Sequence, residues 1–191
     1  MTSDEQSAIN AAINETVAQK EFPDETWIYV ENIKLNYAKM PKNADGIVAA
    51  ISRLPINQQE EQDFIKEVKS AIILKKHGAS ITLIPRIKRP DGKGFLPGPD
   101  AIVNGLFFEF KEVVGTVDKI GARFNDSRKQ SNNVYIRVSN PNITKQRTMK
   151  YMSKLLNGKD YNSGYHGNVV FTFGTGEEQQ TFFFRIIDFK K

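Results

Sequence analysis

An Asn-Gly dipeptide between two apolar, β-rich stretches is the feature that most constrains this chain. Asn104-Gly105 follows Ala101–Val103 and precedes Leu106–Val113. A two-residue hairpin turn needs positive φ at both central positions, and Asn and Gly adopt it at the least cost. The dipeptide therefore predicts a hairpin. The period of the longer arm assigns its faces: Glu109 and Lys111 share one, and Phe108 and Phe110 share the other.

Helical periodicities flank this hairpin. Ser3–Lys20 carries an apolar stripe at Ala8, Ile9, Ala12, Ile13 and Val17, with Ser3 or Asp4 as the N-cap. A stronger helix is expected from Asn57 to His77, on Phe64, Val68, Ala71, Ile72 and Leu74, with Gly78 as terminator. A short strand is expected at Trp27–Val30, a short helix over Asp45–Arg53 and a strand over Ser80–Ile84. Pro85–Pro99 is rich in Pro, Gly and basic residues and reads as a loop. Further helices are expected over Thr116–Gln130 and Pro141–Leu156, with strands at Asn133–Val138, Asn168–Phe173 and Gln180–Ile187. The order predicts an α/β protein, a mixed central sheet flanked by helices.

With 191 residues the chain is long enough for one substantial core. It contains no cysteine, which excludes disulfide scaffolds, cysteine-ligated zinc, iron–sulfur clusters and thiol nucleophiles. Its apolar runs are too short for a membrane span. The polar stretch Met1–Gln6 lacks the features of a signal peptide, so a cytoplasmic site of action is expected, whether the chain acts alone or within a larger exported or phage-borne protein.

The net charge of +5 conceals an asymmetry. Residues 1–65 carry five basic and eleven acidic groups, a net of −6, whereas residues 66–191 carry 22 basic and eleven acidic groups, a net of +11. The basic part calls for a polyanion, with nucleic acid foremost; a merely solvated basic surface is the alternative.

The stretch richest in chemistry is Pro99-Asp100 followed, after eight intervening residues, by Glu109-Phe110-Lys111. It matches the signature of the PD-(D/E)xK nuclease superfamily. The surroundings also resemble that superfamily. Glu67 through Gly78, leading into Ile81–Pro85, is similar to the first core helix and strand of the tRNase-type toxin domains of contact-dependent inhibition proteins. Glu109–Gly115, Arg123 and Arg128–Val134 resemble the later half of those domains. Related modules occur at the ends of phage minor head proteins. The resemblance covers about residues 60–189. It implies a nuclease-like domain over 57–191, with a restriction-endonuclease-like core, and leaves 1–56 as an acidic helical appendage of unknown role.

The resemblance further implies a phosphodiesterase dependent on Mg²⁺ or Mn²⁺, acting on tRNA or DNA. A hard divalent cation takes oxygen ligands and keeps several waters, so one or two carboxylates suffice beside a substrate phosphate. On this footing Asp100, Glu109 and Glu67 are expected as metal ligands, and Lys111 as the group that positions water and offsets charge. Glu60, Glu61 and Asp63 compete with Glu67 for the helix-borne role. A toxin-type function also implies a cognate immunity protein. The alternative is a nucleic-acid-binding or phage-structural module that keeps the fold without catalysis. A plain surface ion pair between Glu109 and Lys111 is the simplest structural reading.

Candidate phosphate contacts are Arg86, Lys88 and Arg89 in the loop before Asp100, then Lys119, Arg123, Lys129 and Gln130. Lys119, Arg123 and Gln130 are placed on one helical face. Thr116 is a second candidate contact or simply the helix N-cap. Lys145, Arg147, Lys150 and Lys154 form a basic run, either phosphate-tracking or solvated. Tyr161, Tyr165 and His166 suggest either stacking on unpaired bases or an ordinary loop.

Overall fold

The computed structural model describes residues 2–158, 166–176 and 179–189. The chain is α/β, with mixed strand pairing and, among the described residues, four α-helices, and it divides into two compact units, Met1–Phe107 and Phe108–Lys191. Tyr161 and Tyr165 lie outside the described residues.

The first unit holds α1 (Ser3–Glu21), β1 (Trp27–Tyr29), β2 (Val48–Ala50), α2 (Gln58–Lys76), β3 (Ile81–Leu83) and β4 (Ala101–Val103). β1 pairs antiparallel with β2, β2 parallel with β3, and β3 antiparallel with β4. Residues 1–56 therefore supply a helix and two strands to the same unit as α2, and no boundary falls near residue 56. The helix expected over Asp45–Arg53 is instead β2 followed by a 3₁₀ turn, Ile51–Arg53. Pairing with β1 and β3 on either side decides the conformation of this short apolar run, which periodicity alone leaves ambiguous.

α1 is capped by Thr2, whose hydroxyl takes the Glu5 N–H while the Glu5 carboxylate takes the Thr2 N–H. Its buried face is also not the one expected. Ile9 and Ile13 are largely exposed, and Asn10, Asn14 and Ala18 are buried. Asn14 is the reason. Its side-chain amide donates to the carbonyls of Ser80 and Ile102, and its oxygen accepts the Gly105 N–H at 2.7 Å. Hydrogen bonds to these backbone groups, the buried Ile102 carbonyl among them, thus favour the polar face. The turn itself is as expected, with φ of +49° at Asn104 and +82° at Gly105. A Cβ at Gly105 would stand 2.5 Å from the Ile13 side chain, so α1 seats on the turn only because the residue is glycine.

α2 runs from its Asn57 cap to His77, with Gly78 at φ +82°. It buries Phe64, Val68, Ala71 and Leu74, the periodic set that predicts it.

The second unit begins within β5 (Leu106–Val113) and continues through α3 (Asp118–Ser127), β6 (Asn133–Val138), α4 (Lys145–Leu156), β7 (Asn168–Phe173) and β8 (Gln180–Arg185). β5, β6 and β7 are parallel neighbours, and β8 closes antiparallel on β7. Ile120 and Phe124 of α3 and Met152 and Leu156 of α4 pack on Val134, Ile136, Val138, Val169 and Phe171 to form the core. β6 is buried along its whole length, as a parallel strand covered on both faces requires.

Candidate functional site

Glu67 and Asp100 meet inside the first unit, brought together by elements that the sequence reading treats separately. Glu67 lies in the middle of α2, on its buried side. Asp100 immediately precedes β4, and its carbonyl accepts the Ile84 N–H. Between them lies Arg53, at the end of the 3₁₀ turn, with its side chain 1% exposed. Its Nε donates to Glu67 Oε2 at 2.9 Å, and one Nη lies 2.7 Å from both Glu67 Oε2 and Asp100 Oδ1. The other Nη donates to the Ile84 carbonyl at 2.7 Å. Arg86 grips the second Glu67 oxygen and lies over the Phe95 ring, 5.5 Å from its centroid.

This is the arrangement in which buried charge is tolerated: each carboxylate has a cation, and Arg53 has several acceptors. Burial pushes the Glu67 carboxyl up from its ordinary value; Arg53 and Arg86 pull against that rise and Asp100 adds to it. Arg53 remains charged, because the two carboxylates outweigh its own burial. Sequence reasoning missed Arg53 as a functional residue. The signal available was weak: a lone cation between Ile51 and Leu54-Pro55, in an otherwise acidic segment.

The competitors for the helix-borne acid are accounted for. Glu61 is buried and accepts the N–H groups of Asn36 and Tyr37, so it holds the 36–37 segment against α2. Glu60 caps the start of α2 with Asn57, and Asp63 pairs with Lys66 at the surface.

In the second unit, Glu109 is 2% exposed on β5 and accepts from the Lys111 ammonium two residues on. The two share a face, as the strand period requires, and Phe110 on the opposite face packs edge-on against Tyr135.

The loop before Asp100 is held by local bonds, with Lys88 bridging Phe95 and the Arg89 N–H bonded to Gly94. Lys88 and Arg89 are exposed. A cleft of about 190 Å³ opens beside the acidic pair, lined by Arg53, Glu60, Phe64, Arg86, Lys88 and Phe95 among others. On α3, Lys119 and Arg123 are exposed. Gln130 does not continue their face, because the helix ends at Ser127 and the chain turns through Ser127–Ser131. Thr116 is not the cap either: its hydroxyl meets Asp118, and Val117 occupies the cap position. Lys129 is exposed and lies 3.8 Å from Asp126. In the basic run of α4, Lys145 lies 3.7 Å above the Phe182 ring.

As donors, the carboxylates of Glu67 and Asp100 suit a hard divalent cation, which takes one or two carboxylates together with water and phosphate oxygens. The point on which they converge is held by a guanidinium. Among the described residues no group of three or more His, Asp or Glu side chains gathers closely enough to hold a metal ion. The acidic pair therefore fits an ion that shares its coordination with water and substrate, and it does not fit an all-protein cage. No helix among the described residues is long and apolar enough to cross a membrane. Comparison with known proteins finds no matching family model, no similar curated protein and no similar solved structure.

Proposed function

We propose that this chain is a metal-dependent endonuclease that hydrolyses phosphodiester bonds in tRNA or DNA, as a toxin-type domain acting in the cytoplasm. The observation that supports it is the convergence of Glu67 and Asp100 on one buried cationic group. These two carboxylates are the residues that would hold Mg²⁺ or Mn²⁺, and the ion would supply a Lewis acid and a more acidic bound water. The resemblance assigns Glu109 as a further ligand. On β5 this carboxylate holds the Lys111 ammonium in place, and a fixed ammonium offsets charge that develops on a phosphoryl group. Arg86, Lys88, Arg89, Lys119, Arg123 and Lys129 provide cations for the phosphate backbone, and a cognate immunity protein is the partner this role implies.

The test is cleavage of a panel of tRNA and DNA substrates with Mg²⁺ or Mn²⁺, comparing wild type with Asp100→Ala and Lys111→Ala. A loss of about 100-fold or more is expected in each variant. Undiminished activity in both removes these residues from the mechanism.

A second reading, a nucleic-acid-binding or phage-structural module without catalysis, is favoured by one observation: Arg53 already neutralises the acidic pair. It predicts salt-dependent binding of nucleic acid with no cleavage under any divalent metal.

A further inference from the structure

Two carboxylates buried side by side need a positive charge between them. Here that charge belongs to the chain. Arg53 reaches the pair through its side chain, from the 3₁₀ turn that shortly precedes α2. Among the described residues, its other side-chain acceptor is the Ile84 carbonyl.

Two features bear on whether this guanidinium can leave. The turn that carries it is tied down elsewhere, the Ser52 N–H and hydroxyl donating to the Glu25 carboxylate and the Ile51 N–H to the Thr26 carbonyl, so the turn keeps its place whichever way the Arg53 side chain points. The cleft beside the pair is lined by Arg53, and Glu60 stands among its walls. The Glu60 oxygens already accept from the Ile56 N–H and the Asn57 amide, and a carboxylate has lone pairs for further donors. Arg53 and Glu60 thus line one cleft.

We propose that Arg53 is an exchangeable internal counter-ion: it occupies the Glu67–Asp100 pair when no metal is bound, and a divalent cation must displace it toward the Glu60 side of the cleft. The inference deepens the nuclease reading and rests on it for the identity of the competitor. It makes metal binding and the position of the Arg53 side chain one equilibrium, because each favours its own state of the acidic pair. A site built this way holds metal weakly until a substrate phosphate adds its own oxygens.

The test reads Arg53 directly in the full wild-type chain. Its Nε–H, bonded to Glu67 and shielded from solvent, is expected to exchange slowly with water in the metal-free protein, and its NMR signal is assigned by its loss in Arg53→Gln. On titration with Mg²⁺, the signal should shift and its exchange should speed up, with the midpoint that calorimetry gives for Mg²⁺ binding. In parallel, Arg53→Gln should bind Mn²⁺ about tenfold tighter than wild type or better, and Glu67→Gln in the same background should abolish the gain. Mn²⁺ binding by Arg53→Gln where wild type binds none overturns the proposal, because a guanidinium that is never displaced is not exchangeable. Mg²⁺ binding that leaves the Arg53 signal unchanged overturns it, as does the absence of binding in both proteins. Failure of the two readings is separable. Cleavage that depends on Asp100 with an unmoved Arg53 leaves the nuclease and removes the counter-ion. Release of Arg53 with no cleavage of any substrate does the reverse.

Discussion

Replacing Arg53 by Met keeps most of the buried volume and removes the charge. Three bonds are lost at once: to Glu67, to Asp100 and to the Ile84 carbonyl. Two of these join full charges inside the protein. Taking one partner from a buried ion pair costs about 3–5 kcal/mol, because the abandoned charge stays in a poorly solvating place. Arg86 still holds one Glu67 oxygen and softens the loss on that side, so the lower half of the range is expected. Against a domain stability of about 5–15 kcal/mol this is a large fraction. With a urea slope of about 2 kcal/mol per molar, the unfolding midpoint should fall by roughly 1.5–2 M. The triple variant Arg53→Met, Glu67→Gln, Asp100→Asn removes the stranded charges together with the cation and should recover more than half of the deficit. The deficit should also depend on pH. The Glu67 carboxyl already sits above its ordinary value of 4.5. Without Arg53 it rises further, so the folded variant binds a proton that the unfolded chain does not. Its stability therefore increases as pH falls toward the ordinary carboxylate value and is lowest at neutral pH and above. An Arg53→Met penalty under about 1 kcal/mol at pH 7, or one that grows as the solution is acidified, would refute the view that the guanidinium neutralises two buried acids.

Two further outcomes test the second unit. Burial pushes the Tyr135 hydroxyl up to about 12, so on raising the pH the unfolded chain ionises first and folding stability should drop from about pH 10 upward, by about 2–3 kcal/mol in full; Tyr135→Phe should flatten that slope in urea titrations at pH 9 and 11.5. At Gly167, φ is +137° and a Cβ would stand 1.9 Å from the Asn132 carbonyl oxygen, so Gly167→Ala should cost about 3 kcal/mol or more, read as a lower thermal midpoint; a midpoint within a degree of wild type would contradict the packing of β7 against that carbonyl.

Much of this protein is written in short-range signals. The Asn104-Gly105 turn, the Asn57 cap and Gly78 terminator of α2, and the bounds of β6 and β7 follow from φ preferences, caps and short apolar β-rich runs, which act over a few residues. The same period puts Glu109 and Lys111 on one face of β5. What failed depended on distant partners. β2 is a strand because β1 and β3 pair with it, and α1 turns Asn14 inward, where its amide bonds the backbones of Ser80, Ile102 and Gly105. α3 stops at Ser127, which takes Gln130 off the face expected for it.

The acidic pair divides along the same line. The spacing of Pro99-Asp100 and Glu109-Phe110-Lys111 singled out the residues, and α2 offered four acids within eight positions with no local means of choosing among them. Tertiary structure chose Glu67, sent Glu61 to the 36–37 backbone, and inserted Arg53 between Glu67 and Asp100. A side chain's bonding partner is fixed by where the backbone carries it. The separations here, 14 residues from Arg53 to Glu67 and 47 to Asp100, leave no periodic trace in a sequence. Local residue preferences therefore determined the elements and the chemical types available, and long-range burial of charge decided which of those groups face one another.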